Sequence, residues 1–360
     1  MKFGPMPPQY KGILDRYWDW MPAEMQWAGK DKIISLEEGA TRLWRAKNLE
    51  RYIDDLYRGF KVHVYLKLEG DNRGTKSFED RGMTAAVTMA GHRGKKTAIC
   101  VSAGNILASA AAYCRAANIK CFGLLPEGRI ASGKYLQAQM HGAKIFGVRG
   151  NFDEALRIGK DIAERNPEVE LLNTNPYRVE GHKTAAFEII DRLGRAPRFH
   201  LLSVENAGNI NACWKGYKEY FNLRPLSKII PKMIGYRATG SALIEELAVK
   251  ESYGKIDSVT DEEILEAYKL ISVLEPVTCE PSSAISVAGL IKEVKICKGL
   301  AESSSPYLRY TMYIWTDCDI VCTLTGDGTK DFKTAKEVFS KDPVVIDASY
   351  DAVLDIINSN

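Results

Sequence analysis

From about residue 60 onwards, the sequence alternates short β-branched runs with longer amphipathic segments. Val62 to Leu68 is followed by Ser77 to Gly91, and Lys96 to Val101 is followed by Asn105 to Ala117. This alternation is typical of a parallel sheet that helices cover on both faces. The pattern therefore predicts an α/β fold of three-layer αβα domains with mainly parallel sheets.

The chain length predicts more than one domain. At 360 residues, the chain is too long for one ordinary core and suits two domains of ordinary size. The strand–helix pattern is regular between about residues 60 and 170 and less regular after residue 225. We expect a small domain over 61–174, inserted between the two parts of a large domain, 1–60 and 175–360.

Composition and charge exclude several classes of protein. A hydrophobic content of 45% and a charged content of 26% are typical of a globular protein. No apolar run approaches the roughly 18 to 20 residues that span a bilayer, and Met1 to Tyr10 lacks the pattern of a secretion signal. A net charge of +3 with short basic clusters gives no support for nucleic-acid binding. We expect a cytoplasmic protein that binds a small molecule.

The eight cysteines and five histidines show no spacing suited to a metal site, and we predict none. In parallel sheets, ligands collect where strands end and helices begin. Four loops there combine glycine with polar or acidic residues, and we expect them to form one ligand site. These loops are residues 69–79, 102–105, 204–209 and 324–328.

Many short stretches match threonine synthases, in order, from about Lys32 to Lys333. They include Tyr65-Leu-Lys-Leu-Glu-Gly70, Asp80-Arg-Gly-Met83, Leu125-Pro-Glu-Gly128, Asn175-Pro176, Asn206-Ala-Gly-Asn209 and Glu280-Pro281. The chain thus resembles the threonine-synthase-like members of the fold-type II enzymes, which depend on pyridoxal phosphate (PLP). The resemblance implies an architecture similar to the β subunit of tryptophan synthase, a homodimer, and an active-site cavity between the two domains.

One departure from the family concerns the residue that binds the cofactor. Threonine synthases normally have a lysine in the Ser-Phe-Lys-Asp-Arg-Gly motif, and it holds PLP as a Schiff base. This chain reads Ser77-Phe78-Glu79-Asp80-Arg81-Gly82, so Glu79 stands at that position. A carboxylate cannot form an imine with an aldehyde.

A second departure concerns the phosphate loop. The family's Gly-Asn-Ala-Gly-Asn corresponds to Glu205-Asn206-Ala207-Gly208-Asn209, which brings a carboxylate towards the PLP phosphate. Two like charges about 4 Å apart repel by roughly 4 kcal/mol at an effective dielectric near 20. This estimate lowers PLP affinity by about a thousandfold. With Glu79 and Glu205 both opposing PLP, the sequence predicts no cofactor.

Other family positions are kept or altered more mildly. Asn105 matches an asparagine that lies beside the PLP ring oxygen, and Thr325 matches a hydroxyl residue that faces the ring nitrogen. Arg178 matches an arginine that helps to hold a substrate phosphate. Ser102 remains in a substrate-carboxylate loop that has lost three hydroxyls, and Asp327 replaces an asparagine or histidine.

Three hypotheses follow from these departures. The first is a PLP-independent enzyme that acts on a small amino-acid-like or phosphorylated metabolite. In it, Glu79 would act as acid or base, Glu205 and Asp327 would bind a cationic group, and Arg178 would bind an anionic group. The second is a non-catalytic relative that regulates or binds a partner. The third is a PLP enzyme that uses Lys76 or holds PLP without a covalent bond. His182, near Arg178, is expected to cap a helix or lie at the surface.

Overall fold

The computed structural model describes residues 10–57, 60–127, 135–205, 208–223, 230–240, 247–301, 315, 317–340, 345, 347–350, 354 and 357. The strands are β1 Leu43–Arg45, β2 Val62–Leu68, β3 Thr97–Val101, β4 Lys120–Pro126, β5 Lys144–Val148, β6 Val169–Leu171, β7 Phe199–Ser203, β8 Lys232–Ala238, β9 Lys255–Val259 and β10 Cys318–Leu324. The helices are α1 Ile13–Arg16, α2 Ala23–Ala28, α3 Lys47–Leu56, α4 Glu79–His92, α5 Asn105–Ala116, α6 Leu136–Met140, α7 Phe152–Arg165, α8 Tyr177–His182, α9 Thr184–Leu193, α10 Gly208–Leu223, α11 Leu247–Glu251, α12 Asp261–Leu274, α13 Ile285–Ala301 and α14 Phe332–Phe339.

The described strands form two sheets. The larger sheet has six strands in the order β1-β2-β10-β7-β8-β9, with only the β1–β2 pair antiparallel. The smaller sheet has four parallel strands in the order β5-β4-β3-β6. The predicted α/β fold with mainly parallel sheets is confirmed.

Central strands of the larger sheet are buried because helices pack on both faces. In β10, every residue from Asp319 to Leu324 is buried, so its apolar residues contact two separate cores. Ile320 and Cys322 belong to one core with α13, and Val321 belongs to the other with α9 and α10. A run without polar alternation is what a doubly covered strand requires.

The larger sheet contains a strand that the sequence prediction assigned elsewhere. Strand β2 falls inside the predicted small domain of 61–174, yet it pairs with β1 and β10 in the six-stranded sheet. The smaller sheet extends from β3 to β6. Strand β2 pairs with β10 over seven residues, and this pairing places β2 in the larger sheet. The next strand in the chain, β3, belongs to the smaller sheet. The division of the chain into two domains stays a prediction.

Two glycines bring α4 and α8 into direct contact. A Cβ atom on Gly181 would lie 1.7 Å from the carbonyl oxygen of Arg81, and one on Gly82 would lie 2.4 Å from Nε2 of His182. Any side chain at either glycine would push the two helices apart. The close approach places the start of α4 against residues of α8.

A buried ion network holds the other side of α4. Arg81 donates to Glu69 at 2.6 and 3.0 Å and to Glu188 at 2.7 and 3.1 Å. Lys67 donates to Glu188 at 2.7 Å, and all four side chains are buried. Burial opposes the charge of Arg81, but the two carboxylates outweigh it and raise its pKa. The network ties α4 to β2 and α9.

No described helix is both long enough and apolar enough to cross a membrane. Within the described part of the chain, no group of three or more histidine, cysteine or acidic side chains is placed to hold a metal ion.

Candidate active site

A cavity of about 920 Å³ lies where strands of both sheets end. The loop after β3 supplies Ser102 and Asn105, the end of β7 and the start of α10 supply Glu205 and Asn209, and the loop after β10 supplies Thr325. Each of these residues lies at a carboxyl end of a parallel strand or in the first turn of the helix that follows. This is the general place for ligands in such sheets.

Glu79 is the first residue of α4 and lies buried at the wall of the cavity. Its Oε2 atom accepts a hydrogen bond from Nη2 of Arg178 at 2.6 Å and lies 3.5 Å from Nε2 of His182. Burial raises the pKa of the Glu79 carboxyl, but the Arg178 guanidinium and the His182 contact outweigh burial and lower it to about 2. Glu79 is therefore ionised at neutral pH.

Burial lowers the pKa of His182, and the nearby Glu79 carboxylate does not reverse this effect. The ring is thus neutral at neutral pH, and the charge of Glu79 is matched by Arg178 alone. His182 is buried rather than at the surface, because Gly82 lets α4 close over its ring. The expectation of a surface or capping role for His182 is wrong.

Arg178 lies behind Glu79 rather than in the wall of the cavity. It also donates from Nη1 to the carbonyl oxygen of Asn173 at 2.9 Å. Its Nε atom is buried and has no hydrogen-bond partner among the described residues, and the same is true of Nδ1 of His182. The pair with Glu79 therefore leaves buried polar atoms unsatisfied.

A second carboxylate, Glu280, connects two of the predicted site residues. The amide of Asn105 donates to its oxygens at 2.9 and 3.1 Å, and the hydroxyl of Thr325 donates to Oε1 at 3.0 Å. Ser283 contacts the Thr325 hydroxyl at 2.9 Å. Glu280 was not predicted as a site residue; its position directly before Pro281, at the start of a helical segment, was the available signal.

Lysine 330 also lines the cavity and was not predicted. It ends the short helix Gly328–Lys330 after β10, and its Nζ donates to Oε1 of Gln137 in α6 at 2.6 Å. Burial lowers its pKa, while Asp80, Glu280 and Asp327 act in the opposite direction more weakly. The signal in the sequence was its place two residues beyond the fourth predicted loop.

Lys76 and Asp327 are not in the wall of this cavity. Lys76 is more than half exposed, and its Nζ lies 3.9 Å from Oδ2 of Asp327. Asp327 caps the segment that follows it, accepting from the backbone of Thr329 at 2.9 Å, and lines a separate pocket of about 150 Å³. The structure thus places Asp327 outside the cavity that Glu205 lines, although the two residues were predicted to bind a cation together.

The phosphate end of the predicted site is only partly described. Glu205 lies exposed at the cavity, Asn206 lies outside the described residues, and Gly208 begins α10 without lining the cavity. In the first turn of α10, Asn209 lines the cavity, and its Nδ2 atom is buried without a partner among the described residues. Such an atom, beside the start of a long helix, is suited to an anion.

The loop predicted to hold a substrate carboxylate contributes backbone and small side chains. Ser102, Ala103, Gly104 and Ile106 line the cavity. The Ser102 hydroxyl accepts from the Gly104 backbone at 3.1 Å, whereas Leu107 points into the core beneath α5.

Comparison with known proteins gives a consistent family. A sequence-family model described as pyridoxal-phosphate dependent enzyme matches residues 34–305. The threonine synthase of Halalkalibacterium halodurans is 40% identical over 375 residues, covering 97% of this chain and 98% of that protein. The threonine synthase of Methanocaldococcus jannaschii is 37% identical over 377 residues, covering 95% of this chain and 86% of that protein.

A solved structure agrees in fold. The crystal structure of an O-ureido-L-serine synthase mutant with bound O-ureido-L-serine has a TM-score of 0.65 and 15% identity to this chain. The structural match covers 90% of this chain and 97% of the synthase chain. At this identity, the likeness concerns the fold alone.

These matches correct two predictions. The expectation of no cofactor is wrong, and so is the expectation of a PLP-independent enzyme or a non-catalytic relative. The physical error lay in assuming that Glu79 and Glu205 both carry an uncompensated charge that opposes PLP. Glu79 is paired with Arg178, Glu205 is exposed, and Asp327 lies in another pocket.

Proposed function

The chain belongs to the pyridoxal-phosphate dependent enzymes, and from that premise we propose that it is a threonine-synthase-like enzyme of amino-acid biosynthesis that uses PLP. The observation that carries the proposal is 40% identity to a threonine synthase over nearly the full length of both chains. The substrate is a small amino-acid-like molecule that enters the cavity between the two sheets. We also predict that the protein is a homodimer and that it is cytoplasmic.

The residues of the cavity fit PLP. The buried Nδ2 atom of Asn209 has no partner among the described residues, and it lies in the first turn of α10. The helix dipole and a free amide donor together favour a phosphate group there. Asn209 and the start of α10 would therefore hold the phosphate of the cofactor.

Thr325 and Asn105 would orient the cofactor ring. The Thr325 hydroxyl donates to Glu280 and lies 2.9 Å from the Ser283 hydroxyl, so its direction at the cavity wall is fixed. Asn105 is held by both oxygens of Glu280, so its amide has a fixed direction at the cavity wall. Bound PLP supplies an electron sink for carbanion chemistry at the amino acid.

Glu79 and Arg178 would set the charge at the cavity wall. Their ion pair keeps an ionised carboxylate beside the ligand without adding net charge. The backbone between Ser102 and Asn105, which begins α5, would bind the carboxylate of an amino acid. These assignments give each end of an amino-acid substrate a partner of suitable charge.

The test combines binding and activity. Titration of the purified protein with PLP is expected to reach saturation, and threonine is expected to form when PLP and phosphorylated amino acids are supplied. Asn105→Ala should reduce threonine formation by roughly tenfold or more, because it removes a polar group that is held in a fixed direction at the cavity wall. Absence of PLP binding at any concentration tested would overturn the proposal.

A further inference from the structure

Glu79 has no amine with which to bind the aldehyde of PLP. An imine with an aldehyde requires a neutral primary amine, which a carboxylate cannot replace. Among the described residues that line the cavity, Lys330 is the sole lysine. It approaches from the loop after β10, and its Nζ lies at the side of the cavity that Gln137 lines.

Contacts from both sheets hold Lys330 in the cavity. Its backbone belongs to the segment after β10 of the larger sheet, whereas its Nζ donates to Gln137 of α6, beside the smaller sheet. Gln137 also donates to the carbonyl oxygen of Thr75 at 3.4 Å. The amine is therefore directed into the space between the layers instead of into solvent.

The surroundings of Lys330 lower the pKa of its amine. No described carboxylate makes an ion pair with Lys330, and its hydrogen-bond partner, the Gln137 amide, is uncharged. Burial lowers its pKa, and the opposing charges of Asp80, Glu280 and Asp327 do not reverse this effect. The nearby Asp80 is buried and accepts from Thr75 at 2.6 Å and from Ser109 at 2.7 Å, and burial raises the pKa of its carboxyl.

Lys76 offers a contrasting amine. It lies outside the cavity wall, with its side chain 57% exposed and its Nζ near the carboxylate of Asp327. Its backbone has φ of 63°, a left-handed conformation that sets the direction of its side chain. Lys76 therefore lies in contact with solvent, outside the space that the cofactor would occupy.

We propose that Lys330 forms the covalent imine with the aldehyde of PLP in this chain. The inference rests on the proposed function, because it requires that the cavity binds PLP. The neutral Nζ attacks the aldehyde carbon, the carbonyl oxygen leaves as water with both amine protons, and a carbon–nitrogen double bond forms. No oxidant or further reactant is needed.

The experiment traps the bond in the unaltered protein. The full-length protein is incubated with PLP, reduced with borohydride, digested, and mapped by mass spectrometry. We expect the pyridoxyl-phosphate adduct on the peptide that contains Lys330, and a yellow absorbance band before reduction. Lys330→Arg should lower both signals by roughly tenfold or more, since a guanidinium forms no such imine.

Lys333→Arg is the matched control, because Lys333 is three residues away and exposed on α14. It should keep the adduct and the absorbance band. A circular dichroism spectrum of Lys330→Arg equal to that of the unaltered protein shows that loss of the signal is not loss of the fold.

Several outcomes overturn the role of Lys330 while leaving PLP dependence intact. One is an adduct on the peptide that contains Lys76. Another is PLP that dialysis shows to be retained while reduction yields no adduct. Failure of PLP to bind at all removes the proposed function as well, so the two failures are distinguishable.

Discussion

Glu79 and Arg81 lie two residues apart at the start of α4, yet their surroundings differ. Arg81 points into the protein, where each of its three guanidinium nitrogens donates to Glu69, Glu188, Thr41 or Thr184. Glu79 points to the cavity and pairs with Arg178, whose Nε atom has no described partner. Arg81 is thus fully satisfied and holds the fold, whereas the ion pair behind the cavity wall leaves a buried nitrogen without a described partner.

The largest effect is expected when the buried network is broken. Arg81→Met leaves Glu69 and Glu188 buried with Lys67 as their remaining cation, and should lower the free energy of unfolding by about 3 to 5 kcal/mol. Urea denaturation measures the change. As a control, Arg178→Met should lower the free energy of unfolding by less than Arg81→Met does. It leaves one buried carboxylate, Glu79, without a counter-charge, and that carboxylate lines the cavity. Equal losses in the two variants would contradict the comparison.

A smaller loss is expected at the cavity. Glu79→Gln keeps the size of the side chain but leaves Arg178 without its counter-charge, and should cost about 1 to 3 kcal/mol of unfolding free energy. Glu37→Gln is the matched control, because Glu37 forms an exposed ion pair with Arg73. Its cost should be under about 1 kcal/mol. A Glu79 variant as stable as the Glu37 variant would show that the buried pair contributes nothing.

The pH dependence of that loss follows from the pKa of Glu79. Its folded-state pKa, about 2, lies below its usual value of 4.5. A lowered pKa stabilises the fold above the usual value, and the stabilisation disappears as pH falls towards the folded-state value. The stability difference between the unaltered protein and Glu79→Gln should thus be constant above pH 4.5 and shrink towards pH 2. Denaturation at several pH values measures it; a difference that grows in acid would contradict the assignment.

The smallest effect on stability is expected at Asn209. Since its Nδ2 atom has no described partner, Asn209→Ala should change the free energy of unfolding by under about 0.5 kcal/mol. It should weaken PLP binding by roughly five- to tenfold, the value of one hydrogen bond. Asn211→Ala is the opposite control: Asn211 accepts from the backbone of Ala248 at 3.0 Å, so its loss should lower stability. Unchanged PLP affinity in Asn209→Ala would remove Asn209 from the phosphate site.

Much of the fold could be predicted from local pattern. Strands and helices follow hydrophobic periodicity, and the ligand loops follow from the ends of parallel strands. The pairing of β2 with β10 was missed, because the register Val62 to Cys318 joins residues far apart in sequence. Neighbouring elements in the chain gave no sign of that partner.

The candidate site was predicted in part. The loops and the resemblance to threonine synthases together predicted five residues that line the cavity, which are Ser102, Asn105, Glu205, Asn209 and Thr325. Glu280 and Lys330 were missed because their roles come from contacts with distant residues: Glu280 with Asn105, and Lys330 with Gln137. Glu280 lies in the matching stretch Glu280-Pro281, but the sequence does not show which residue either side chain contacts.

The sequence by itself determined the α/β layering and the chemistry of residue 79, because hydrophobic periodicity and side-chain type are local properties. A carboxylate stands there, and no fold can make it an imine-forming amine. Tertiary structure alone decided what that carboxylate does, since its partner Arg178 lies 99 residues further along the chain. It also decided which lysine reaches the cavity, because burial and direction depend on how the two sheets pack.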